Sequence, residues 1–325
     1  MADTLWDLEE FKPYLSTWLA RNAEFTAREG YYDGSVYSGM GRALGWLAPR
    51  LTNQIKPLYL PLARAVDVDC GIVPGDWALR DDAPDTWQPA IDTLLAWSEW
   101  ARLGVLYIHY GAIYGVSGLK VSDLRADKRV TITPVNPKCF LLDSAAAYDA
   151  TPTLAIWVEE RYAGGQAYEY AEVITSDLVR TFRDGALAEF DGRPAEYKNE
   201  QGAVPFVEVR HIETGAQFGE CTYQKSITLL DELNDEATRL SKIIRKHSEP
   251  QWAVTGAEAS DMVHSGDNVW FLPEGADAKI LVPSIDIDGT LRFIQEIRDQ
   301  VYGSLPELAF DDLRLRLGPD LRVGV

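Results

Sequence analysis

Read as hydrophobic and polar positions, the chain changes period twice. Over residues 3–30, apolar side chains return at helical spacing: Leu5, Leu8, Phe11, Leu15, Leu19 and Ala23. That pattern predicts an amphipathic helix or helix pair, with Pro13 at a break or a first turn. Residues 31–46 are Gly- and Tyr-rich, with turn chemistry at Asp33-Gly34 and Ser38-Gly39. The stretch 51–68 is apolar enough for a buried helix interrupted at Pro57 and Pro61, and 71–85 is polar and turn-rich, as loops are. WQPAIDTLLAWSEWARL at 87–103 predicts one firm helix with Ile91, Leu94, Leu95, Trp97 and Ala101 turned inward. The run VLYIHYGAIYG after it reads equally as more helix or as a buried strand.

From LKVSDL onward the period becomes two. VTITPVN, FLLD, TLAIWVEERY, AYEYAEVIT, LVRTFR, ALAEF and VPFVEVRHI alternate or are rich in β-branched residues. Turns at Ala163-Gly164-Gly165, Asp184-Gly185 and Asp191-Gly192 separate several of them, which predicts an antiparallel meander of about seven short strands.

The helical period then returns over 222–308. TYQKSITLLDELNDEATRLSKIIRKH sets Ile227, Leu230, Leu233, Ala237, Leu240 and Ile244 on one stripe, and Pro250 stops it. A second helix at 289–305 repeats the stripe with Leu291, Ile294, Ile297, Val301 and Leu305. Asp286 or Asp288 serves as its cap and Pro306 as its stop. Between the two lie three short β-prone runs, QWAVTG, NVWFLP and AKILVP. Two antiparallel helices with a small β module at their tip make a stalk with a head. Each helix buries one stripe against its mate, so its other faces meet solvent or copies of itself. The expected class is α+β, with helices and strands segregated along the chain.

Composition narrows the function. At 325 residues the chain is long enough for a sizeable core. No run approaches a membrane span, and the acidic start MADTLWDLEEF lacks the basic region of a secretory signal. The three cysteines, Cys70, Cys139 and Cys221, are far apart, as reduced structural thiols in a cytosolic setting are. A net charge of −19 argues against tight nonspecific wrapping of nucleic acid, which needs a cationic surplus. It is compatible with a surface past which DNA slides without sticking.

Candidate chemistry is sparse. GAIYGVSGLK at 111–120 lacks the Ser/Thr of a phosphate loop, and the four histidines, His109, His211, His247 and His264, form no i, i+4 pair. Asp286-x-Asp288-Gly289 opens like a calcium loop, but Ile297 stands where its last acid belongs. No metal and no cofactor is expected. Ten Trp, fifteen Tyr and many carboxylates raise one alternative, a carbohydrate-active hydrolase with an acidic, aromatic-lined cleft. Its best carboxylate pair is Glu159-Glu160, although neighbours on a strand face opposite ways.

Several stretches carry a resemblance in their order. Tyr31-Tyr32-Asp33-Gly34 follows an N-terminal helix, Asn53-Gln54-Ile55-Lys56 opens the next, and 97–115 holds a helix and a Gly-containing strand. Gly202-Ala203-Val204-Pro205-Phe206-Val207 precedes Leu230-x-x-Leu233-Asn234 and the terminal Arg245-Lys246-His247-x-x-Pro250. The chain resembles the portal proteins of tailed bacteriophages and gene transfer agents. The resemblance implies an α/β wing at 1–220, a stem helix at 221–249 and a small β-containing clip at 250–285. A second stem helix follows at 286–308, and the start of a tunnel-loop region at 309–325. The chain stops at Leu321-Arg322-Val323-Gly324-Val325, where the tunnel loop of such proteins begins, so the crown is expected to be absent or not covered.

The same resemblance implies a non-enzymatic ring, typically of twelve subunits, at one vertex of the virion capsid. Double-stranded DNA passes through it during packaging and ejection. The large terminase subunit, head-completion or adaptor proteins and the major capsid protein are the implied partners, with no membrane. Arg239, Lys242, Arg245 and Lys246 in the stem are the candidate phosphate contacts of the channel. Trp252, Glu258, Asp261, Asp267, Trp270, Glu274 and Asp277 are the candidate partner surface of an acidic clip that attracts a basic protein. The competing reading of the stem cations is complementation of the helix dipole and pairing with neighbours.

Overall fold

The computed structural model describes residues 4–37, 59–71, 84–124, 128–144, 151–215, 218–248, 251–255, 263–264, 270–271, 277–281, 287–305 and 308. Helix α1 (Lys12–Asp33) follows a short 3-10 turn, and Pro13 lies in its first turn. Its buried stripe differs from the one expected. Leu19 and Ala23 face outward, while Phe11, Arg21, Phe25 and Arg28 face inward. The spacing is still helical, but two of the inward positions are arginines. Arg21, only 2% exposed, lies over the rings of Phe25, Phe140 and Phe218 and pairs with Glu208 at 2.8 Å. Arg28 donates to the main-chain carbonyls of Tyr114 and Gly219.

Helix α2 (Pro61–Gly71) buries Leu62, Ala65 and Val66. Pro57, expected within this helix, lies outside the described residues, as does most of 71–85. The single helix expected over 87–103 is two, α3 (Gln88–Trp97) and α4 (Trp100–Tyr114). Glu99 breaks the run in a left-handed conformation, φ +49°. Ser98 holds the break in place, its hydroxyl donating to the Leu94 carbonyl while accepting the Ile132 N–H. Trp97 and Ala101 consequently face solvent. VLYIHYGAIYG belongs to α4 up to its Gly115 cap.

Among the described residues, the strands between 116 and 210 form two antiparallel sheets where one meander was expected. Strands β3 (Phe140–Ser144), β4 (Pro152–Ala163), β5 (Gln166–Thr175), β6 (Leu178–Arg183) and β7 (Ala186–Leu187) run in sequence order, and β8 (Glu196–Lys198) also pairs with β6. The first strand, β1 (Val116–Leu124), lies apart, between β2 (Arg129–Val135) and β9 (Phe206–Arg210). Thus β9 crosses back to the start of the β region, in register from Val116↔Arg210 to Lys120↔Phe206. Gly118 permits the two sheets to close, because a Cβ there would stand 2.2 Å from the Phe140 ring.

Helix α5 (Ile227–Ser248), entered through a 3-10 turn at Gln224–Ser226 rather than from 222, packs along α6 (Ile287–Gly303). Between them β10 (Gln251–Thr255) pairs with β13 (Asp277–Leu281), and β11 (Val263–His264) with β12 (Trp270–Phe271). The hairpin is not a free-standing stalk. Leu230, Leu233 and Leu240 of α5 and Ile294, Ile297 and Val301 of α6 share one core with Phe25 of α1, Leu62, Ala65 and Val66 of α2, and Ala112 to Tyr114 of α4. Burying a leucine or isoleucine side chain contributes roughly 1.5–3 kcal/mol, so the proximal part of the hairpin is fixed in the helical body.

Candidate functional site

One turn of α5 ties the hairpin to that body through polar contacts. The Tyr31 and Tyr37 hydroxyls donate to the two Asp231 carboxylate oxygens at 3.0 and 2.9 Å. Three residues on, the same side of α5 presents Asn234, which accepts the Tyr59 N–H at 3.2 Å and donates to the Tyr59 carbonyl at 3.3 Å. Burial, and then the bond to Asp231, push the Tyr31 hydroxyl up to about 12. The same causes raise Tyr37. Both phenols therefore stay protonated donors near neutral pH.

Away from this anchor the hairpin exposes apolar side chains. On α6 the buried positions Ile294, Ile297 and Val301 mark the inner stripe. Phe293, 46% exposed, lies about 100° to one side of Ile294. Leu291 and Tyr302, 43% and 38% exposed, lie on the opposite flank. Ile244, a stripe position toward the far end of α5, is 48% exposed rather than buried, as is Leu291 on α6. Both belong to the distal part of the hairpin, beyond the helical body. Phe293 was missed in the sequence because it falls off the helical stripe. An aromatic among polar residues on an otherwise wet face was the available signal.

The stem cations are only partly described. Arg239 pairs with Asp235 at 2.7 Å and with Glu236, both in the preceding turn of its own helix. Exposed pairs of this kind contribute about 0–1 kcal/mol, but they do neutralise the guanidinium locally. Lys242, Arg245 and Lys246 occupy helical positions of α5. For the tip, Trp252 stands opposite Ile280, Trp270 opposite His264 and Asp277 opposite Thr255 in the strand registers. Glu258, Asp261, Asp267 and Glu274 lie outside the described residues.

The hydrolase pair does not assemble. Glu159 is held by Arg161 at 2.6 Å, and Glu160, on the other face of β4, accepts from the Tyr162 hydroxyl. Burial pushes the Cys70 and Cys139 thiols up to about 11 and Cys221 to about 12, which removes thiolate reactivity. Among the described residues no group of three or more His, Cys, Asp or Glu is placed to hold a metal ion, and no helix is long and apolar enough to cross a membrane.

The class these elements define is an α+β body from which a helical hairpin carries small paired strands at its tip. Residues 107–304 match the sequence model of a family described as phage portal protein, SPP1 Gp6-like. The match covers more than half of the chain, and the chain belongs to that family. Comparison with curated proteins finds no match. Among solved structures it is similar to a chain in the neck of an empty gene transfer agent particle computed with C6 symmetry, at 15% identity and a TM-score of 0.40. That similarity covers 77% of this chain and 64% of the other. It is also similar to a chain in the virion of a native gene transfer agent particle, at 16% identity and a TM-score of 0.39, covering 75% and 64%. The chain thus spans less than two thirds of the length of those neighbours.

Proposed function

We propose that this portal-family chain is one subunit of a closed ring at the capsid vertex, whose bore passes double-stranded DNA. Residues 1–220 are its wing, 221–249 and 286–308 its stem, and 250–285 its clip, with 309–325 opening toward a tunnel loop. The observation that carries the reading is the pair of apolar flanks on α6, Phe293 on one side and Leu291 with Tyr302 on the other. A head-to-tail ring gives each subunit two different neighbours, so it needs apolar surface on two opposed flanks rather than one. The net charge of −19 supports a bore that repels duplex DNA and lets it slide. Lys242, Arg245 and Lys246 are the stem residues proposed to touch phosphates in passing, with Arg239 mostly spent on Asp235 and Glu236.

In this reading the protein performs no chemistry. Trp252, Glu258, Asp261, Asp267, Trp270, Glu274 and Asp277 present the clip to the large terminase subunit and later to head-completion proteins, and the wing meets the major capsid protein.

Size-exclusion chromatography with light scattering and negative-stain imaging tests the ring. Rings are expected for the parent chain and their loss for Phe293→Asp. A parent chain that stays monomeric at every concentration, or rings unaffected by Phe293→Asp, would overturn it. Replacing 250–285 by a short Gly/Ser turn tests the clip, since terminase binding is expected to disappear while the wing stays folded.

A further inference from the structure

Thr222, a few residues before α5, joins three parts of the chain. Its N–H donates to the Ala112 carbonyl of α4 at 3.0 Å, and its hydroxyl donates to Asp69 Oδ2 of α2 at 2.5 Å. Its oxygen lies 3.0 Å from Nε2 of His211, the residue after β9. The His211 main-chain N–H in turn donates to the Gly115 carbonyl at 2.9 Å. One imidazole thus closes the joint between α2, α4 and the root of the hairpin.

The Thr222 hydroxyl proton is committed to Asp69, so toward His211 its oxygen is an acceptor and Nε2 is the donor. Neutral His211 therefore carries its proton on Nε2 and leaves Nδ1 bare. Nδ1 is pressed on α4 at Gly111, where a Cβ would stand 3.0 Å from it. The Gly111 carbonyl already takes the Gly115 N–H at 2.8 Å. A second proton, on Nδ1, would face a methylene instead of an acceptor.

Burial is accordingly the first cause lowering the His211 pKa from its ordinary 6.5, and Asp69 opposes it. That carboxylate faces the ring from α2, with Oδ2 3.8 Å from Nε2, but the same oxygen is held by Thr222. Beyond β9, Arg210 and Glu213 pair with each other at 2.8 Å. Glu220, before Thr222, packs by its main chain on Gly115. From α4, His109 lies about 200° round the helix from Gly111 and meets Cys70 at 3.7 Å, with Asp67 as its charged neighbour. The His211 side chain is 24% exposed, so the ring has a way out to water.

We propose that His211 is an acid-released latch. With Nδ1 bare it braces Thr222 and Asp69 against α4. Once Nδ1 takes a proton, the ring turns out to water, and α2 and the root of the hairpin loosen. The stability it contributes is complete above pH 6.5 and is lost as pH falls through the lower folded value, because the unfolded chain takes up the proton first. The latch lies within one subunit and does not depend on the ring reading.

Hydrogen-exchange mass spectrometry of the intact chain between about pH 7.5 and about pH 5, corrected for the intrinsic pH dependence of exchange, tests it on a monomer or a ring alike. Protection over 61–71 and 220–223 is expected to fall roughly two- to tenfold across that range, while β4 and β5 hold theirs. His211→Gln keeps an N–H donor for Thr222 but does not titrate, so it should remove the acid step. His109→Gln should leave the step in place. Slow deuteration of the imidazole C2–H in the parent chain titrates His211 directly, without any variant. A midpoint at or above 6.5, no acid step in the parent, or a step that survives His211→Gln or disappears in His109→Gln would overturn the proposal. So would protection that rises on acidification, which would mean that the imidazolium tightens on Asp69 instead of leaving.

Discussion

If Asp231 fastens the hairpin to the helical body, its bonds to Tyr31 and Tyr37 must be coupled energetically. Tyr37 is 3% exposed and its hydroxyl lies 2.9 Å from a carboxylate oxygen. A hydrogen bond to a charged group contributes about 1.5–3 kcal/mol, and partial exposure of Asp231 places this one at the lower end. Tyr37→Phe is therefore expected to cost about 1.5–2 kcal/mol. Asp231→Ala removes both tyrosine bonds and leaves the Tyr37 hydroxyl short of an acceptor, for a cost of about 2–4 kcal/mol. In the double variant the Tyr37 bond cannot be lost twice, so the coupling should be about 1–1.5 kcal/mol. Global unfolding of a chain this long does not guarantee a two-state transition. Hydrogen exchange of the amides at 230–237 reads the local opening free energy instead. A coupling within the roughly 0.5 kcal/mol that independent sites show would refute the fastening.

Three further outcomes follow from the packing. Glu172→Leu alone strands the Lys120 charge and should cost about 3–5 kcal/mol, whereas Lys120→Met with Glu172→Leu should recover most of that in thermal denaturation. Gly115→Ala should lower the yield of folded protein and cost at least about 1–3 kcal/mol in denaturant titration. The position has φ +80°, and the new methyl would meet the Glu220 main chain at 2.9 Å as well as the Arg28 guanidinium. Alkali should loosen the hairpin before it ionises the folded tyrosines. Tyr31 is held up to about 12 against an ordinary 10.0, so between those values the unfolded chain releases a proton that the folded one keeps. Stability is complete below pH 10 and falls as pH rises toward 12. Tyr31→Phe should flatten that slope in denaturation midpoints, and a parent midpoint that does not move there would refute the shift.

The sequence was most legible where one period ran long without interruption. The inner positions Leu230, Leu233, Ala237 and Leu240 of α5 and Ile294, Ile297 and Val301 of α6 are those the stripe marks. It was least legible where a polar residue held an inward position. Arg21 and Arg28 continue the inner face of α1 after Phe11, but a hydrophobicity pattern discards them and promotes Leu19 and Ala23. What buries an arginine is the set of rings and carbonyls around it, supplied by β3, α4 and the segment before α5, and no local window contains them. The break at Ser98-Glu99 was hidden for the same reason: only the Ile132 N–H on another strand makes it worthwhile. The return of β9 to β1 is likewise tied to contacts distant in sequence, the Phe206 ring of β9 against Phe140 and Trp157.

The candidate site divides along the same line. The helices of the hairpin were readable because an inner stripe is a property of one helix, whereas its attachment through Asp231 and Asn234 was not, because the partners lie in α1, beside it and before α2. This difference bears on the proposed ring. The inner stripe of the hairpin is satisfied within the chain, whereas Ile244, Leu291 and Phe293 toward the tip and Tyr302 near the base are left open. In the proposed ring, subunit contacts made by the hairpin should therefore run along both flanks of α6, from Leu291 and Phe293 near the tip to Tyr302 near the base.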